Sequence, residues 1–216
     1  MNNREIIARR VAQEFKDGDF VNLGIGIPTL STAYLPEGVN VILHSENGHY
    51  NFGPVTCEED KDPDSINASG ELCVVRNGGV FFDSTVSFGI IRGGFIDKTV
   101  LGALQVDQEG NLANWKIPGR VVPGIGGGMD LVVGAKKVII AMEHTAKGEK
   151  KILKKCTIPL TATGEVDMII TEKAVFEREN GGLVLKETYP GVTVDEIREL
   201  TEADFTVDEN LKTMSI

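Results

Sequence analysis

Val138-Ile139-Ile140-Ala141-Met142 is apolar at every position, and this run limits the folds open to the chain more than any other segment. A strand with one wet face alternates apolar and polar residues. A continuous apolar run marks a strand buried on both faces, the situation of a central strand in a parallel sheet covered by helices. Lys137 to Met142 therefore reads as a central strand. The opening of the chain agrees. Ile6, Ile7, Val11, Ala12 and Phe15 recur at helical spacing, and Asp17-Gly18-Asp19 ends that helix. Phe20 to Leu23 reads as a strand. Gly24 and Gly26 turn the chain, and Pro28 suits the first turn of a helix reaching about Leu35. Val39 to Leu43 is the next strand.

Further on, Leu72 to Val75 and Val80 to Phe82 read as two short strands around Asn77-Gly78-Gly79. Ser84 to Ile91 reads as a helix and Lys98 to Val106 as one buried strand. Met129 to Val133 opens a helix, and Val166 to Thr171 is a strand. Ala174 to Phe176 and Leu183 to Leu185 flank Asn180-Gly181-Gly182 as a β-hairpin. Val192 to Ile197 resembles a short capped helix. Strands alternating with helices predict an α/β fold: one domain over residues 1–216, a mainly parallel central sheet flanked by helices, and a β-hairpin near the C-terminal end.

The composition narrows the function. A formal net charge of −10 argues against a nucleic-acid binder, which needs a basic face to displace counterions. No apolar run approaches the roughly 18 to 20 residues of a membrane helix. The N-terminus Met1-Asn2-Asn3-Arg4-Glu5 is polar and unlike a signal peptide. Cys57, Cys73 and Cys156 are odd in number and widely spaced, which fits reduced thiols in a cytoplasmic protein. No spacing of histidines, cysteines and carboxylates suits a metal. Gly24-Ile25-Gly26 lacks the third glycine of a dinucleotide fingerprint, so a nicotinamide cofactor is not indicated, and no cofactor is expected to be permanently bound.

The strand ending near Leu43 runs into Ser45-Glu46-Asn47-Gly48, a carboxylate followed by a turn pair. In open α/β sheets ligands bind outside the carboxyl ends of strands. Taken alone, a Glu there reads as nucleophile, base or solvated bystander. It has company: Val21-Asn22-Leu23-Gly24-Ile25-Gly26-Ile27-Pro28-Thr29 upstream, then Ile91-Arg92-Gly93-Gly94, Asn111-Leu112-Ala113-Asn114-Trp115, Pro118-Gly119, Gly124-Ile125-Gly126-Gly127-Gly128-Met129-Asp130 and Met142-Glu143-His144-Thr145-Ala146-Lys147-Gly148. In that order the set resembles the β (beta) subunit of the two-subunit 3-oxoacid CoA-transferases, the acetate/butyrate–acetoacetate type, whose fold is shared with ribose-phosphate isomerases.

The resemblance implies that Glu46 is the catalytic nucleophile and that coenzyme A and acyl-CoA are substrates. It maps the oxyanion and CoA-binding donors onto Asn22, Gly24, Ile25 and Gly26, and onto Gly126 and Gly127. Backbone N–H groups at glycines approach a developing oxyanion with no Cβ in the way. Lys147, after the central strand, is a candidate for a CoA phosphate or carbonyl, or else one lysine of a solvated basic face with Lys150, Lys151, Lys154 and Lys155. His44 and His144 read as structural. Arg92 pairs with an acid or with a substrate carboxylate, and Trp115 is a packing or interface residue. The resemblance also implies a partner, the α (alpha) subunit of the same CoA-transferase, in a heterodimer or α2β2 heterotetramer.

One segment departs from the family. After Ser-Glu-Asn-Gly the family continues with small aliphatic residues and glycines, whereas this chain has His49-Tyr50-Asn51-Phe52-Gly53-Pro54. Asn47, His49, Tyr50 and Phe52 are therefore candidate pocket residues, implying an acid different in size or polarity from the simplest short-chain ones. Two other functions stay open on sequence alone: a thioester hydrolase using Glu46, and a non-catalytic assembly subunit on the same fold.

Overall fold

The computed structural model describes residues 1–120, 122 and 124–216. The elements are α1 (Asn3–Ala12), β1 (Phe20–Leu23), α2 (Ile27–Leu30), β2 (Ile42–Ser45), β3 (His49–Pro54), β4 (Cys73–Phe81), α3 (Ser84–Arg92), β5 (Lys98–Leu101), β6 (Gln105–Asp107), β7 (Leu112–Ala113), α4 (Gly128–Gly134), β8 (Val138–Ala141), β9 (Thr145–Ala146), β10 (Glu149–Lys150), β11 (Ile152–Leu153), β12 (Met168–Ile170), β13 (Ala174–Glu179), β14 (Gly182–Thr188), α5 (Val194–Leu200) and β15 (Phe205–Thr213). A ten-stranded sheet has the order β15-β14-β13-β12-β8-β5-β1-β2-β3-β4. Its middle, β12-β8-β5-β1-β2, is parallel throughout. Antiparallel strands extend it on both sides, and β15 returns parallel to β14.

The apolar run behaves as its composition demands. Val138 and Ile140 of β8 join one buried cluster, with Ile91 of α3, Leu131 of α4 and Ile197 of α5. Ile139 and Ala141 join the other, with Ile6, Ile7 and Val11 of α1. Helices thus cover both faces of the parallel strands. Each fully buried isoleucine contributes about 1.5–3 kcal/mol relative to exposure. The first helix is fixed at its start by a capping box: Asn2 Oδ1 accepts from Glu5 N (3.0 Å) and Glu5 Oε2 accepts from Asn2 N (3.1 Å). The hairpin turn at Asn180-Gly181 has φ of 51° and 83°, the left-handed pair a two-residue connection requires. Thr193 caps α5 through a bond from Glu196 N.

Several boundaries differ from the sequence reading. Lys98 to Val106 is not one strand: β5 ends at Leu101, and Gln105–Asp107 joins a separate three-stranded sheet with β7 and β11. Gly102 and the two residues after it redirect the chain. The two strands expected around Asn77-Gly78-Gly79 are one strand, β4. It absorbs these residues as an irregularity opposite Asn51, which itself has a φ of 56°. The β2 strand starts later than expected and runs on to Ser45. Among the described residues no helix is long and apolar enough to cross a membrane.

Candidate active site

Glu46, Asn47 and Gly48 form the turn that joins the last parallel strand, β2, to the antiparallel strand β3. Gly48 has a φ of 132°, and a Cβ there would stand 2.1 Å from Phe82 O, so no other residue fits. Parallel pairing sets Asn22 of β1 beside His44 of β2. From there the buried Asn22 Nδ2 donates to His44 O (3.2 Å) and to Glu46 Oε2 (3.1 Å). His44 Nδ1 also lies 3.2 Å from this amide, and Ser87 Oγ lies 3.1 Å from Nε2. The amide nitrogen has two hydrogens for these three neighbours and accepts none itself, so Nδ1 is the unprotonated ring nitrogen, sharing a hydrogen with the other acceptors, and Nε2 carries the proton toward Ser87. Burial lowers the His44 pKa to about 4, with the neighbouring His49 adding to the effect. The imidazole is a neutral strut under the Glu46 turn.

The opposite wall is the turn before α4. A Cβ on Gly127 would lie 3.3 Å from Glu46 Cγ, and one on Gly126 would lie 4.0 Å from Glu46 Oε1. Residues distant in sequence, Asn22, Glu46, Gly126 and Gly127, therefore meet around one carboxylate. The upstream glycine loop is only partly involved. Gly24 N donates to Val100 O (2.8 Å), so its N–H is committed to the sheet. Ile25 is 70% exposed, and with Gly26 it lines a second cleft of about 360 Å³ together with Arg4, Gly102, Glu143 and Lys151.

Glu46 opens onto a cleft of about 430 Å³. Of the departing segment, Phe52, Gly53 and Pro54 line it; Tyr50 does not. Tyr50 packs edge-on to Phe20 and stacks with Phe82, facing an apolar depression with Ile42, Ile90 and Phe95. The sequence expectation is thus corrected for Tyr50, and the bulge at Asn51 explains why Phe52 points where simple alternation does not place it. His49 is buried, with Nε2 3.3 Å from Cys73 Sγ, beneath the cleft rather than in it. Burial lowers the His49 pKa and raises that of Cys73. Asn47 is a clamp: Ser45 Oγ donates to Asn47 Oδ1 (2.7 Å) and Asn47 Nδ2 donates to Ile66 O (2.7 Å). With Ala68 N donating to Ser45 Oγ (2.8 Å), this pins the segment whose Asn67, Ser69 and Glu71 form the cleft's rim.

Lys147 sits at the tip of the β9–β10 hairpin with a φ of 53° and lines neither cleft. Lys151, given no role of its own in the sequence reading, is the lysine that enters the second cleft. Burial lowers its pKa, with Glu143 and Glu172 opposing that shift. Arg92 pairs with Asp130 (2.7 Å), tying α3 to α4, and Trp115 Nε1 donates to Leu160 O (3.2 Å). Asn114 supports the glycine turn indirectly: its Oδ1 accepts from Thr161 Oγ1 (2.7 Å), and Thr161 Cγ2 underlies Gly128. His144 bridges the hydroxyls of Thr171 (2.9 Å) and Thr201 (3.0 Å), and burial lowers its pKa to about 4.

Comparison with known proteins supplies the context for this geometry. The coenzyme A transferase family model matches residues 4–200. The β subunit of the acetate CoA-transferase of Haemophilus influenzae is 56% identical, with 100% of this chain and 97% of the relative covered. The succinyl-CoA:3-ketoacid coenzyme A transferase 2A of Rattus norvegicus mitochondria is 50% identical over 98% of this chain, which spans 41% of that longer relative. A crystallised acyl-CoA transferase from Escherichia coli O157:H7 superposes with a TM-score of 0.78 at 26% identity, covering 99% of this chain and 43% of the other. The same enzyme has been crystallised as a thioester complex with CoA, and that structure superposes at a TM-score of 0.77. In sequence over nearly its whole length, and in fold, this chain belongs to the coenzyme A transferase family.

Proposed function

We propose that this chain is the nucleophile-bearing half of a two-chain CoA-transferase, moving CoA from an acyl-CoA to a free short-chain or 3-oxo acid through a thioester on Glu46. The observation that carries the reading is the seat of Glu46, held by Asn22 Nδ2 at 3.1 Å against the Gly126-Gly127 turn at the mouth of a cleft. A carboxylate nucleophile suits a reaction whose acceptor is itself a carboxylate. Glu46 attacks the acyl-CoA carbonyl; the C–S bond breaks, giving a mixed anhydride and CoA thiolate. The thiolate then attacks the Glu46 carbonyl carbon, the bond from that carbon to the anhydride's bridging oxygen breaks, and the donor acid leaves as a carboxylate, with CoA held as the Glu46 thioester. The acceptor acid reverses both steps, so every thioester cleaved is rebuilt and water is never the acceptor.

Each attack places charge on a carbonyl oxygen. The N–H groups of Gly126 and Gly127, with the Asn22 amide and the Ile25-Gly26 turn, are the donors assigned to it; one such donor is typically worth about 3 kcal/mol. The partner is an α chain supplying what the longer relatives carry in the rest of their length, in a heterodimer or α2β2 assembly. Intact-mass analysis of the co-purified chains with acetoacetyl-CoA tests the reading. A CoA-sized gain mapped to Glu46, absent in Glu46→Gln, is expected. Free CoA and free acid released without any adduct would instead indicate hydrolysis, and full transfer by Glu46→Gln would overturn the assignment.

A further inference from the structure

We infer that His44, with Ser87 of α3 behind it, is a positioning residue for the proposed transfer: acting through Asn22, it holds Glu46 by Oε2 and leaves Oε1 on the side of the Gly126-Gly127 turn. The inference rests on the CoA-transfer reading above. Ser87, His44 and Asn22 are 0%, 2% and 1% exposed and come from three separate elements, α3, β2 and β1. Their contacts run in one line: Ser87 Oγ to His44 Nε2 (3.1 Å), His44 Nδ1 to Asn22 Nδ2 (3.2 Å), and Asn22 Nδ2 to Glu46 Oε2 (3.1 Å). The imidazole lies between two aromatic rings, Phe20 edge-on at 5.5 Å and Phe82 stacked at 6.1 Å, which fixes its plane.

The line has a direction. A bare Nδ1 accepts from the Asn22 amide, whereas a proton there would set N–H against N–H and push the amide away. Ser87 Oγ takes the proton of Nε2 and so keeps Nδ1 bare. With one amide hydrogen drawn to the Nδ1 and main-chain oxygen of His44, the other is left for Glu46 Oε2. The same helix reaches the opposite wall. A Cβ on Gly127 would stand 3.4 Å from Phe88 Cζ, and Arg92 pairs with Asp130 of α4. Helix α3 thus supports both the tether on Oε2 and the turn beside Oε1.

The tethered oxygen is the weaker nucleophile, so Oε1 attacks: its bond to the acyl carbon forms as the C–S bond breaks. When the thiolate attacks the Glu46 carbonyl carbon, the bond from that carbon to Oε1 breaks and the donor acid carries Oε1 away. Negative charge gathers meanwhile on Oε2, against the Asn22 amide. His44 therefore acts on the chemical steps and not on binding of the CoA ester.

The test follows Glu46–CoA adduct formation by the assembled two-chain enzyme against acetoacetyl-CoA concentration, beside thermal unfolding. His44→Leu is expected to lower the saturated rate at least thirtyfold, equivalent to about 2 kcal/mol, with half-saturation moved less than threefold. His44→Asn puts an oxygen near the place of Nδ1 and is expected to recover to within about fivefold of native. Ser87→Ala is expected to lose about three- to tenfold. A folded His44→Leu within threefold of native, a folded His44→Asn no faster than His44→Leu, or a loss confined to half-saturation overturns the inference and leaves CoA transfer standing. So does an imidazole 15N spectrum that places the His44 proton on Nδ1. If His44→Leu does not fold, Ser87→Ala decides: a saturated rate within twofold of native overturns the inference. No adduct on Glu46 in the native enzyme overturns the activity reading and this inference with it.

Discussion

Gly127→Ala separates the packing of Glu46, the proposed nucleophile, from the stability of the fold. Gly127 has φ −81° and ψ 8°, a backbone that alanine adopts, and it precedes α4 without a side-chain cap to lose. The added methyl meets Glu46 Cγ at 3.3 Å, Phe88 Cζ at 3.4 Å and Glu46 Cβ at 3.6 Å. Carbon pairs are comfortable at about 3.5–4.0 Å, so the Glu46 side chain shifts by about 0.3–0.5 Å. A misplacement of about 1 Å at a reacting centre costs roughly a hundredfold in rate. A shift of half that size predicts a five- to tenfold loss, or about 1.0–1.4 kcal/mol in the barrier. The assay is single-turnover formation of the Glu46–CoA adduct, quenched and read by mass, beside thermal unfolding of the same protein. Adduct formation at the native rate would refute the argument. A large fall in unfolding temperature would show that the methyl disturbs the fold rather than the nucleophile.

Other changes follow from the same geometry. Asn22→Ala removes the amide that bonds Glu46 and His44 O, a loss of about 1.5–3 kcal/mol for a bond to a charged group; transfer within threefold of native would show that Glu46 is oriented by something else. Gly89→Ala fills open space at an exposed position of α3 and is expected to stabilise by about 1 kcal/mol, raising Tm by about 2–4 °C; an unchanged or lower Tm would contradict it. His44 and His144 have folded pKa values of about 4, below the unfolded value, so the unfolded chain binds more protons in acid. Stability is therefore expected to fall as pH drops from about 6.5 to about 4, by about 3 kcal/mol per histidine, and His144→Gln should lessen the slope; denaturation midpoints that stay level across that window would refute it.

The parts of the fold carried by local chemistry were readable in the sequence. The continuous apolar run of β8, the Asn180-Gly181 turn and the Thr193 cap each encode their structure within a few residues. The place of Glu46, in a turn at a strand end, was readable because a strand end and a turn pair are local as well. What escaped was set by distant residues. Tyr50 faces away from the cleft and Phe52 faces into it because Asn51 bulges against β4, a pairing that no window around residue 50 contains. Gly24 looked like a free backbone donor until Val100, on a strand far along the chain, took its hydrogen. The break in the strand expected over Lys98 to Val106 likewise depends on β11, about fifty residues later. Lys147 and Lys151 are indistinguishable as members of a lysine-rich stretch; only the fold places one on a hairpin tip and the other in a cleft.

The turn bearing Glu46 lies where the parallel sheet gives way to the antiparallel ribbon of β3 and β4. One side of that junction is buried framework, and the other is a flap whose residues make the cleft wall. The cleft is built from both: Leu23, Leu43 and Ser45 come from the framework, and Phe52, Gly53, Pro54 and Cys73 from the ribbon. Substitutions in the ribbon can reshape one wall of the cleft while Glu46 keeps its hydrogen bond to Asn22 of β1. Under the proposed function, sequence drift in one hairpin would change the shape of the cleft and leave the seat of its carboxylate intact.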